Sequence, residues 1–434
     1  MPCIHELYSK PQRTEKIIQF GEGRFLRGFA DWMLQKLNDS HLFSGSVVVV
    51  QPTPRGNIRK FDRQNWLYTH VMRGVEGVET QVVDCCSRGI DPYADFDAYL
   101  ALADDPNFRF ILSNTTEAGI CYTDEPRQAG KASENFPAKV TELLYRRYQK
   151  GLDGFIFLPC ELIDRNGDTL KSIILRYAAA WGLEAEFSAW VQEKNHFCNT
   201  LVDRIVTGTP KDVNLGYEDE FVNASEYFHL WVIEGDKSLA EELPFHKIGL
   251  NVLWTEDLER YRTRKVRILN GAHTSMVAFG LLNGMDTVKD CMDNEKMLSY
   301  VRKCVYDEII PSMDLSKEEL IPFADDVLRR FANPYIEHHL ADISLNSVSK
   351  FKVRVLPSLL DYHRKFGTVP EGLACAFGSL IRFYKHGTPR DDAQTVEQMK
   401  SLSVEEILKN ELWWGQDCSF LLEKVMQYAA EPQG

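Results

Sequence analysis

One lysine, one asparagine and one histidine are spaced along the segment RKVRILNGAHTSMV, Arg264–Val277, so that a helix would bring them onto one side. At 100° per residue, Asn270 would lie at about 140° and His273 at about 80° from Lys265. The axial rise from Lys265 to His273 would be about 12 Å, which the long lysine stem and an irregular first turn could shorten. Because an unpaired polar group is costly to bury, the three side chains need partners or a substrate.

These residue types fit the interconversion of a carbonyl and an alcohol, with hydride moving to or from a nicotinamide. Lys265 could protonate the developing alkoxide, the Asn270 amide could stabilise the negative oxygen, and His273 could orient the substrate. A lysine does this only if its pKa falls from about 10.4 towards neutrality, and burial lowers it. Neighbouring positive charge lowers it too, and the chain supplies Arg262, Arg264 and Arg267. Taken alone, the same pattern also fits a solvated helix face with one satisfied core histidine.

The elements around this segment predict two domains in a chain of 434 residues, a length that exceeds one compact core. Residues 1–256 alternate strand-like and helix-like runs, which predicts an α/β, Rossmann-type domain with a mostly parallel sheet. The strand candidates are KIIQF, SVVVVQP, FRFILSN, GFIFLPCELI, FHLWVIEG and GLNVLWTED, and FLRGFADWMLQKLN is the first helix candidate. Residues 257–434 carry helical periodicity with few strand-like runs, which predicts a mainly α-helical domain.

The first strand candidate runs directly into a glycine turn, IIQFGEGRFLRGF. Gly21 and Gly23 would allow a tight turn and would bring backbone N–H groups to a pyrophosphate at the start of the next helix. Leu26 stands where the dinucleotide fingerprint usually has its third small residue, so a strand-to-helix turn without a ligand is the alternative.

The end of the second strand leaves the choice between NAD and NADP open. Gln51 stands where an acidic residue would bind the ribose hydroxyls. Arg55 and Arg59 lie nearby and could bind a 2′-phosphate instead.

Two further strand ends carry polar residues. ILSNTTEAGI places Asn114–Glu117 where ligands bind at a sheet edge, and it fits the N-cap of a helix equally well. LPCELIDRNGDTLK resembles the start of a calcium loop, but Thr169 replaces the required glycine. We therefore predict a strand end followed by an Asn-Gly turn.

Composition and charge exclude several classes of partner. The formal net charge is −13 with both signs interleaved, which argues against nucleic acid and anionic membranes but not against a small anionic substrate. No apolar run approaches the ~18 residues of a membrane span, and the N-terminus lacks the pattern of a signal peptide. Ten scattered cysteines without a CxxC spacing indicate reduced thiols in the cytoplasm. No oligomeric state follows from these patterns.

Five segments together resemble one family: FGEGRFLRGF, SNTTEAGI, PCELIDRNGD, LVDRIVTGTP and above all KVRILNGAHT. The chain resembles the polyol-specific long-chain dehydrogenases/reductases, the mannitol dehydrogenase relatives. The resemblance implies a Rossmann-type domain, an α-helical domain, an active site in the cleft between them, and catalysis without a metal. Lys265 matches the family's acid/base, and Asn270 and His273 match its partner residues.

The same resemblance implies NAD as the cofactor, held by the first turn and the SNTTE segment. The implied cofactor-binding residues are Ile17, Ile18, Gln19, Phe20, Gly21, Glu22, Gly23, Arg24, Phe25, Leu26, Arg27 and Gly28, with Asn114, Thr115, Thr116 and Glu117. Two positions depart from the mannitol enzymes: Gln51 replaces an acidic residue, and CEL at Cys160–Leu162 replaces CDN. Asn166 is then the candidate for an asparagine that binds the substrate oxyanion.

SNTTEAGI and PCELI resemble the tagaturonate-reducing branch of the family more than its mannitol or fructuronate enzymes. This resemblance implies reversible NADH-dependent reduction of D-tagaturonate to D-altronate in hexuronate breakdown. A uronate needs a cation for its carboxylate. Lys350 and Arg354 lie on one helical side at i, i+4 spacing, and Arg330 is a further candidate, although each also fits a solvated basic face. The alternatives are another polyol or hexuronate oxidoreductase of the family, of the fructuronate or mannitol type, and a dinucleotide-binding sensor without turnover.

Overall fold

The computed structural model describes residues 1–430, and the chain divides into two compact units, Met1–Leu258 and Glu259–Gly434. The first unit contains thirteen strands: β1 Glu15–Phe20, β2 Ser46–Val50, β3 Tyr68–Gly74, β4 Gly77–Val83, β5 Cys86–Ile90, β6 Phe110–Ser113, β7 Ile156–Pro159, β8 His196–Phe197, β9 Asn199–Asp203, β10 Val206–Gly208, β11 Asn223–Ser225, β12 Leu230–Glu234 and β13 Val252–Thr255. Its helices are α1 Ile4–Leu7, α2 Arg24–Arg27, α3 Ala30–Asp39, α4 Phe96–Ala101, α5 Phe136–Gln149, α6 Asn166–Ala180 and α7 Ala185–Lys194. Short 3-10 turns span Ile58–Gln64, Leu102–Asp104, Lys237–Glu241 and Phe245–Ile248.

The main sheet of the first unit has six strands in the order β5-β2-β1-β6-β7-β8, all parallel. The chain moves outward from β1 to one edge and then returns to the other side of β1, which is the strand order of a Rossmann fold. This order confirms the predicted Rossmann-type domain. It also creates a topological switch point between β1 and β6, where the strand order reverses.

Apolar residues on both faces explain why β1 and β2 lie inside this sheet. All five residues of the SVVVV run are buried, as expected of a parallel strand covered by helices on both sides. Ile17 and Val47 belong to one hydrophobic core, and Ile18 and Val48 belong to the other. Successive residues therefore stabilise opposite faces of the sheet.

Two smaller sheets differ from the prediction of one mostly parallel sheet. FHLWVIEG and GLNVLWTED form β12 and β13 in a separate sheet of order β13-β12-β9, where β12 is antiparallel to β9. A second sheet of order β10-β11-β3-β4 contains the β3–β4 hairpin. Alternating apolar residues predict a strand but not its pairing partner, so sequence periodicity could not assign these strands to their sheets.

The predicted helix FLRGFADWMLQKLN is interrupted in its first half. Helix α2 ends at Arg27 and α3 begins at Ala30. A Cβ atom on Gly28 would lie 2.8 Å from Nδ2 of Asn223 and 3.1 Å from Cε1 of His70. The break therefore lies where the chain approaches the β10-β11-β3-β4 sheet too closely for any side chain.

The second unit is built from helices, as predicted, and residues 259–430 contain no β-strand. They are α8 Glu259–Arg264, α9 Gly271–Leu282, α10 Val288–Asp293, α11 Glu295–Arg302, α12 Ile310–Ser312, α13 Lys317–Phe331, α14 Leu340–Ile343, α15 Ser347–Arg354, α16 Leu356–Phe366, α17 Glu371–His386, α18 Ala393–Ser401, α19 Val404–Leu408, α20 Glu411–Trp414 and α21 Leu422–Ala429, with a 3-10 turn at Ser419–Leu421. Two π-helical segments, Lys265–Asn270 and Lys303–Ile309, continue α8 and α11. Across residues 1–430, no helix combines the length and apolarity that crossing a membrane requires.

Candidate active site

The glycine turn and the SNTTE loop meet at the switch point of the main sheet. Gly21 follows β1 with φ +115°, a left-handed conformation that glycine adopts readily. A Cβ atom on Gly21 would lie 3.1 Å from the backbone oxygen of Asn114, and the Asn114 N–H donates to the Phe20 oxygen at 3.2 Å. The sheet thus brings together two segments that are about 90 residues apart in sequence.

The turn has the features that a pyrophosphate needs. Gly23 is exposed, a Cβ atom there would meet nothing within 4 Å, and no side chain caps the first turn of α2. The backbone N–H groups that begin α2 therefore face open space at the carboxyl end of β1, where dinucleotides bind in this fold. The residues fit a nicotinamide dinucleotide.

Several of the predicted cofactor-binding residues are buried and position the turn instead of facing open space. Ile17, Ile18 and Phe20 are fully buried in the two cores of the unit. The Gln19 amide is buried and donates to the Gly21 oxygen at 3.1 Å, so it stabilises the turn from the buried side. Of the remaining predicted residues in this turn, Gly21, Leu26 and Gly28 are buried, Glu22, Phe25 and Arg27 are partly buried, and Gly23 and Arg24 are exposed.

Glu161 holds the SNTTE loop, and sequence reasoning missed this role. Its carboxylate accepts from the Ser113 hydroxyl at 2.9 Å, and from the Thr115 N–H at 2.9 Å and the Thr115 hydroxyl at 3.0 Å. Residues 114–117 form an irregular turn and not the start of a helix, which removes the N-cap alternative. Thr116 and Glu117 are exposed. The sequence signal for this role was the replacement of CDN by CEL at Cys160–Leu162, which puts an acidic residue next to the end of the strand that pairs with the strand of Ser113.

The side chain of Gln51 is buried and engaged within the fold. Its amide donates to the Thr53 oxygen at 2.9 Å and accepts from the Ile58 N–H at 3.1 Å, so both ends organise the loop after β2. Arg55 is exposed beside this loop, and Arg59 lies 3.6 Å from the Asp62 carboxylate.

Asn166 does not carry the oxyanion role proposed from the sequence. It begins helix α6 instead of an Asn-Gly turn, and it is fully buried. Its amide nitrogen donates to the backbone oxygens of Pro159, Glu161 and Thr200, and its amide oxygen accepts from the N–H of Thr200 at 2.8 Å. Because these contacts consume the amide, Asn166 ties β7 to β9 and has no donor left for a substrate oxygen.

Asp31 and two thiols form a buried cluster beneath the glycine turn. The Asp31 carboxylate and the Cys85 and Cys86 sulfurs lie within 4.8 Å of one another. The hydrogen bond with Cys86 and burial raise the pKa of the Cys85 thiol well above its usual value. A protonated thiol is a poor metal ligand, so the cluster is better suited to a structural role.

Lys265 is the first residue and Asn270 the last residue of the first π-helical segment of the second unit. In a π-helix each backbone bond closes to the fifth residue instead of the fourth, and such segments often occur at functional sites. Arg267, in the middle of the segment, donates to Ser358 Oγ at 2.5 Å and to Ser312 Oγ at 3.0 Å, and it pairs with Asp361 at 3.0 Å. These contacts fix the segment against α12 and α16.

The three arginines near Lys265 each have a carboxylate partner. Arg262 lies 3.7 Å from Glu259, Arg264 lies 3.2 Å from Glu319, and Arg267 lies 3.0 Å from Asp361. Paired charges largely cancel one another at a distance. The sequence argument that these arginines lower the lysine pKa together is therefore weaker in the folded chain.

Asn270 and His273 present polar groups that the fold leaves available. The half-buried Asn270 amide makes no hydrogen bond to any residue between 1 and 430, and the ring nitrogens of His273 make none either. The His273 ring stacks on Phe331 with a centroid distance of 4.1 Å and meets His338 edge-on at 4.9 Å. Burial lowers the pKa of His273 well below its usual value, so the imidazole is neutral at pH 7. A neutral imidazole both donates and accepts.

The predicted cations gather around this histidine. After burial, protonation of His338 and the positive charges of Arg330 and Arg354 lower the pKa of His273 further. Lys350 donates from Nζ to the Ile343 oxygen at 2.8 Å, at the end of α14. The sequence predicted Arg330, Lys350 and Arg354 as candidate cations but not His338, which lies in the irregular segment after α13.

A parallel sheet with a glycine turn at its switch point, followed by a helical unit with a lysine, an asparagine and a histidine on one helix, defines a nicotinamide-dinucleotide oxidoreductase that acts on CH–OH groups. Residues 15–247 match the mannitol dehydrogenase Rossmann domain, and residues 257–430 match the mannitol dehydrogenase C-terminal domain. The chain belongs to the mannitol dehydrogenase family.

Similar proteins include enzymes of known name. An altronate oxidoreductase of Yersinia enterocolitica is 42% identical, over 96% of this chain and 94% of its own length. An altronate oxidoreductase of Bacillus subtilis is 43% identical, over 94% of this chain and 89% of its own length. Among solved structures, a D-sorbitol dehydrogenase without substrate covers 99% of this chain and 97% of its own at a TM-score of 0.83 and 22% identity. A Pseudomonas fluorescens mannitol 2-dehydrogenase in complex with NAD and D-mannitol covers 97% of this chain and 92% of its own, at a TM-score of 0.69 and 20% identity. These two structures share the fold.

Proposed function

We propose that this chain catalyses the reversible, NADH-dependent reduction of D-tagaturonate to D-altronate, in the breakdown of hexuronates in the cytoplasm. Relatives named altronate oxidoreductase at 42% and 43% identity over nearly the whole chain support this substrate. Ten free thiols suit a reducing compartment. The observation that carries the chemistry is the helix on which Lys265, Asn270 and His273 stand, with an uncommitted amide and a neutral imidazole.

Each of the three side chains has one task in this reaction. A bound nicotinamide dinucleotide supplies the hydride in reduction and accepts it in oxidation. Asn270 donates a hydrogen bond to the substrate oxygen as that oxygen becomes negative. The Lys265 ammonium gives its proton to the same oxygen, and in the reverse direction the neutral amine removes it. His273 orients the substrate through a hydrogen bond between one of its ring nitrogens and a neighbouring hydroxyl.

A substrate panel tests the proposal. Purified protein with NADH is mixed with D-tagaturonate, D-fructuronate and neutral ketoses, and loss of NADH absorbance is recorded. D-Tagaturonate should give the highest kcat/KM. A preference for fructuronate or a ketose would favour another oxidoreductase of the family, and NADH binding without turnover would favour a sensor. NADPH is run in parallel, because exposed Arg55 could contact a 2′-phosphate.

The role of Lys265 has its own test. Lys265→Ala should lower kcat by about 10³-fold while NADH binding, measured by fluorescence titration, stays unchanged. Lys317→Ala is the matched control, since Lys317 is an exposed lysine at the start of α13. Turnover by Lys265→Ala close to that of the control would remove Lys265 from the mechanism.

A further inference from the structure

Arg354 is a charged group that the fold has not paired. It is half-buried at the last position of α15, and its guanidinium makes no hydrogen bond or ion pair with any residue in the described part of the chain. Burial lowers the pKa of Arg354, and no acidic group opposes that effect. Arginine still keeps its charge at neutral pH, and charges that lose water are normally paired. An unpaired guanidinium in this position is suited to an anion from outside the fold.

Other arginines of the same unit show how unusual this is. Arg264 is paired with Glu319, Arg267 with Asp361 and Arg390 with Asp342, at 3.2, 3.0 and 3.1 Å. The surroundings of Arg354 contain positive groups instead. The pKa of Lys350 is lowered first by burial and then by the positive charges of Arg354 and Arg390.

The backbone of Arg354 touches the helix that carries the candidate active site. A Cβ atom on Gly271 would lie 3.0 Å from the Arg354 oxygen, and Gly271 stands directly after Asn270. The Arg354 charge also reaches the His273 ring. The unpaired guanidinium therefore belongs to the same neighbourhood as the uncommitted amide and imidazole.

We propose that Arg354 binds the carboxylate of the substrate and thereby selects sugar acids over neutral ketoses, an inference that rests on the hexuronate activity proposed above. Its planar fork can donate two parallel hydrogen bonds to one carboxylate. The two other candidate cations are less suitable. Lys350 closes α14 through the Ile343 oxygen, and Arg330 is buried at 6% exposure and has a partner within the fold.

The test compares two substrates in three variants. The substrates are D-tagaturonate and the ketose that carries a hydroxymethyl group in place of its carboxylate. Arg354→Gln should raise KM for the uronate by about 100-fold, with kcat within a few-fold and kcat/KM for the ketose unchanged. Arg354→Lys keeps the positive charge but cannot donate two parallel hydrogen bonds to a carboxylate, and it should raise KM for the uronate by about 10-fold. Lys352→Gln removes a positive charge from the same helix and should leave the uronate-to-ketose ratio unchanged.

A measurement without turnover separates this inference from the proposed activity. D-Altronate should raise the melting temperature of the native protein and of Lys352→Gln, but not of Arg354→Gln. An unchanged uronate-to-ketose ratio in Arg354→Gln, or an equal loss on both substrates, would overturn the role of Arg354. If the native protein binds D-altronate through Arg354 but reduces no keto-uronate, the carboxylate site stands and the proposed activity fails.

Discussion

Replacing Asp31 by asparagine should stabilise the Rossmann unit, and the gain should grow as the pH rises. Asp31 is fully buried, and one of its carboxylate oxygens has no hydrogen-bond partner among residues 1–430. The other oxygen accepts from the Gln19 amide at 3.4 Å and from the Tyr68 hydroxyl at 3.5 Å, both long. Burial raises the pKa of Asp31 to about 7, although the Gln19 hydrogen bond and the Arg27 charge work against it.

The sign follows from proton linkage. Between the ordinary pKa of 3.8 and the folded value of about 7, the native carboxyl keeps a proton that the unfolded one has lost, so stability falls as the pH rises. At roughly 1.4 kcal/mol per pKa unit, the cost is about 2 kcal/mol at pH 5 and about 4 kcal/mol at pH 8. Asparagine never ionises and keeps an oxygen that can accept from Gln19 and Tyr68. The stabilisation by Asp31→Asn should therefore be about 2–3 kcal/mol larger at pH 8 than at pH 5.

Calorimetry can measure this difference. A change of 1 kcal/mol shifts the melting temperature of a domain of this size by about 2–4 °C, so the gap between variant and native should widen by about 5–10 °C from pH 5 to pH 8. Asp39→Asn supplies the baseline for removing a carboxylate from the exposed end of the same helix. A gap that stays constant between the two pH values would show that Asp31 does not titrate in this range. A variant less stable than the native protein at pH 8 would show that Arg27 stabilises the ionised carboxylate by more than burial costs it.

Three further substitutions test the positioning of the site. Gly271→Ala adds a Cβ atom 3.0 Å from the Arg354 oxygen and should raise KM for the uronate several-fold while KM for the neutral ketose changes less; equal changes would separate Gly271 from the carboxylate site. Glu161→Gln replaces an acceptor oxygen by an amide N–H in the anchor of the SNTTE loop and should weaken NADH binding by about 10-fold in a fluorescence titration, whereas unchanged affinity would remove the loop from the cofactor site. Arg267→Met leaves buried Ser358 and Ser312 without their partner and should lower stability by about 2–4 kcal/mol in urea unfolding and also lower kcat; a stable variant with normal kcat would show that the π-helical segment does not depend on this anchor.

The features that the sequence predicted well are those determined by neighbouring residues. The SVVVV run predicts a buried strand from its own composition, and the glycine turn after β1 follows from two residues that allow it. The Rossmann order could be inferred because alternating strands and helices leave few alternatives. The helical second unit followed in the same way from a change in periodicity after residue 257.

The features that the sequence did not predict depend on distant partners. The residues next to Asn166 predict a turn and a ligand for the substrate oxyanion, because nothing in them shows that the backbone groups of Thr200 and Pro159 occupy its amide. In the π-helical segment Lys265–Asn270, Arg267 contacts residues that are 45 and 91 positions away. Glu161 became interpretable only when the sheet placed it beside Ser113. In each case the missing information was a hydrogen-bond partner remote in sequence, which residue spacing cannot supply.

An acidic protein with an anionic substrate also needs a physical explanation. The net charge of −13 repels an anion at long range, but salt screens this field within about 8–10 Å. Near the proposed site the charge differs from the average, because Arg354 has no acidic partner among residues 1–430 and Lys350 lies one helical turn before it. Burial strengthens this local field, since a half-buried guanidinium interacts with a carboxylate in a lower dielectric than water. The overall charge therefore disfavours acidic macromolecules as partners, while in the proposed site the partly buried Arg354 would attract the carboxylate of a small anion.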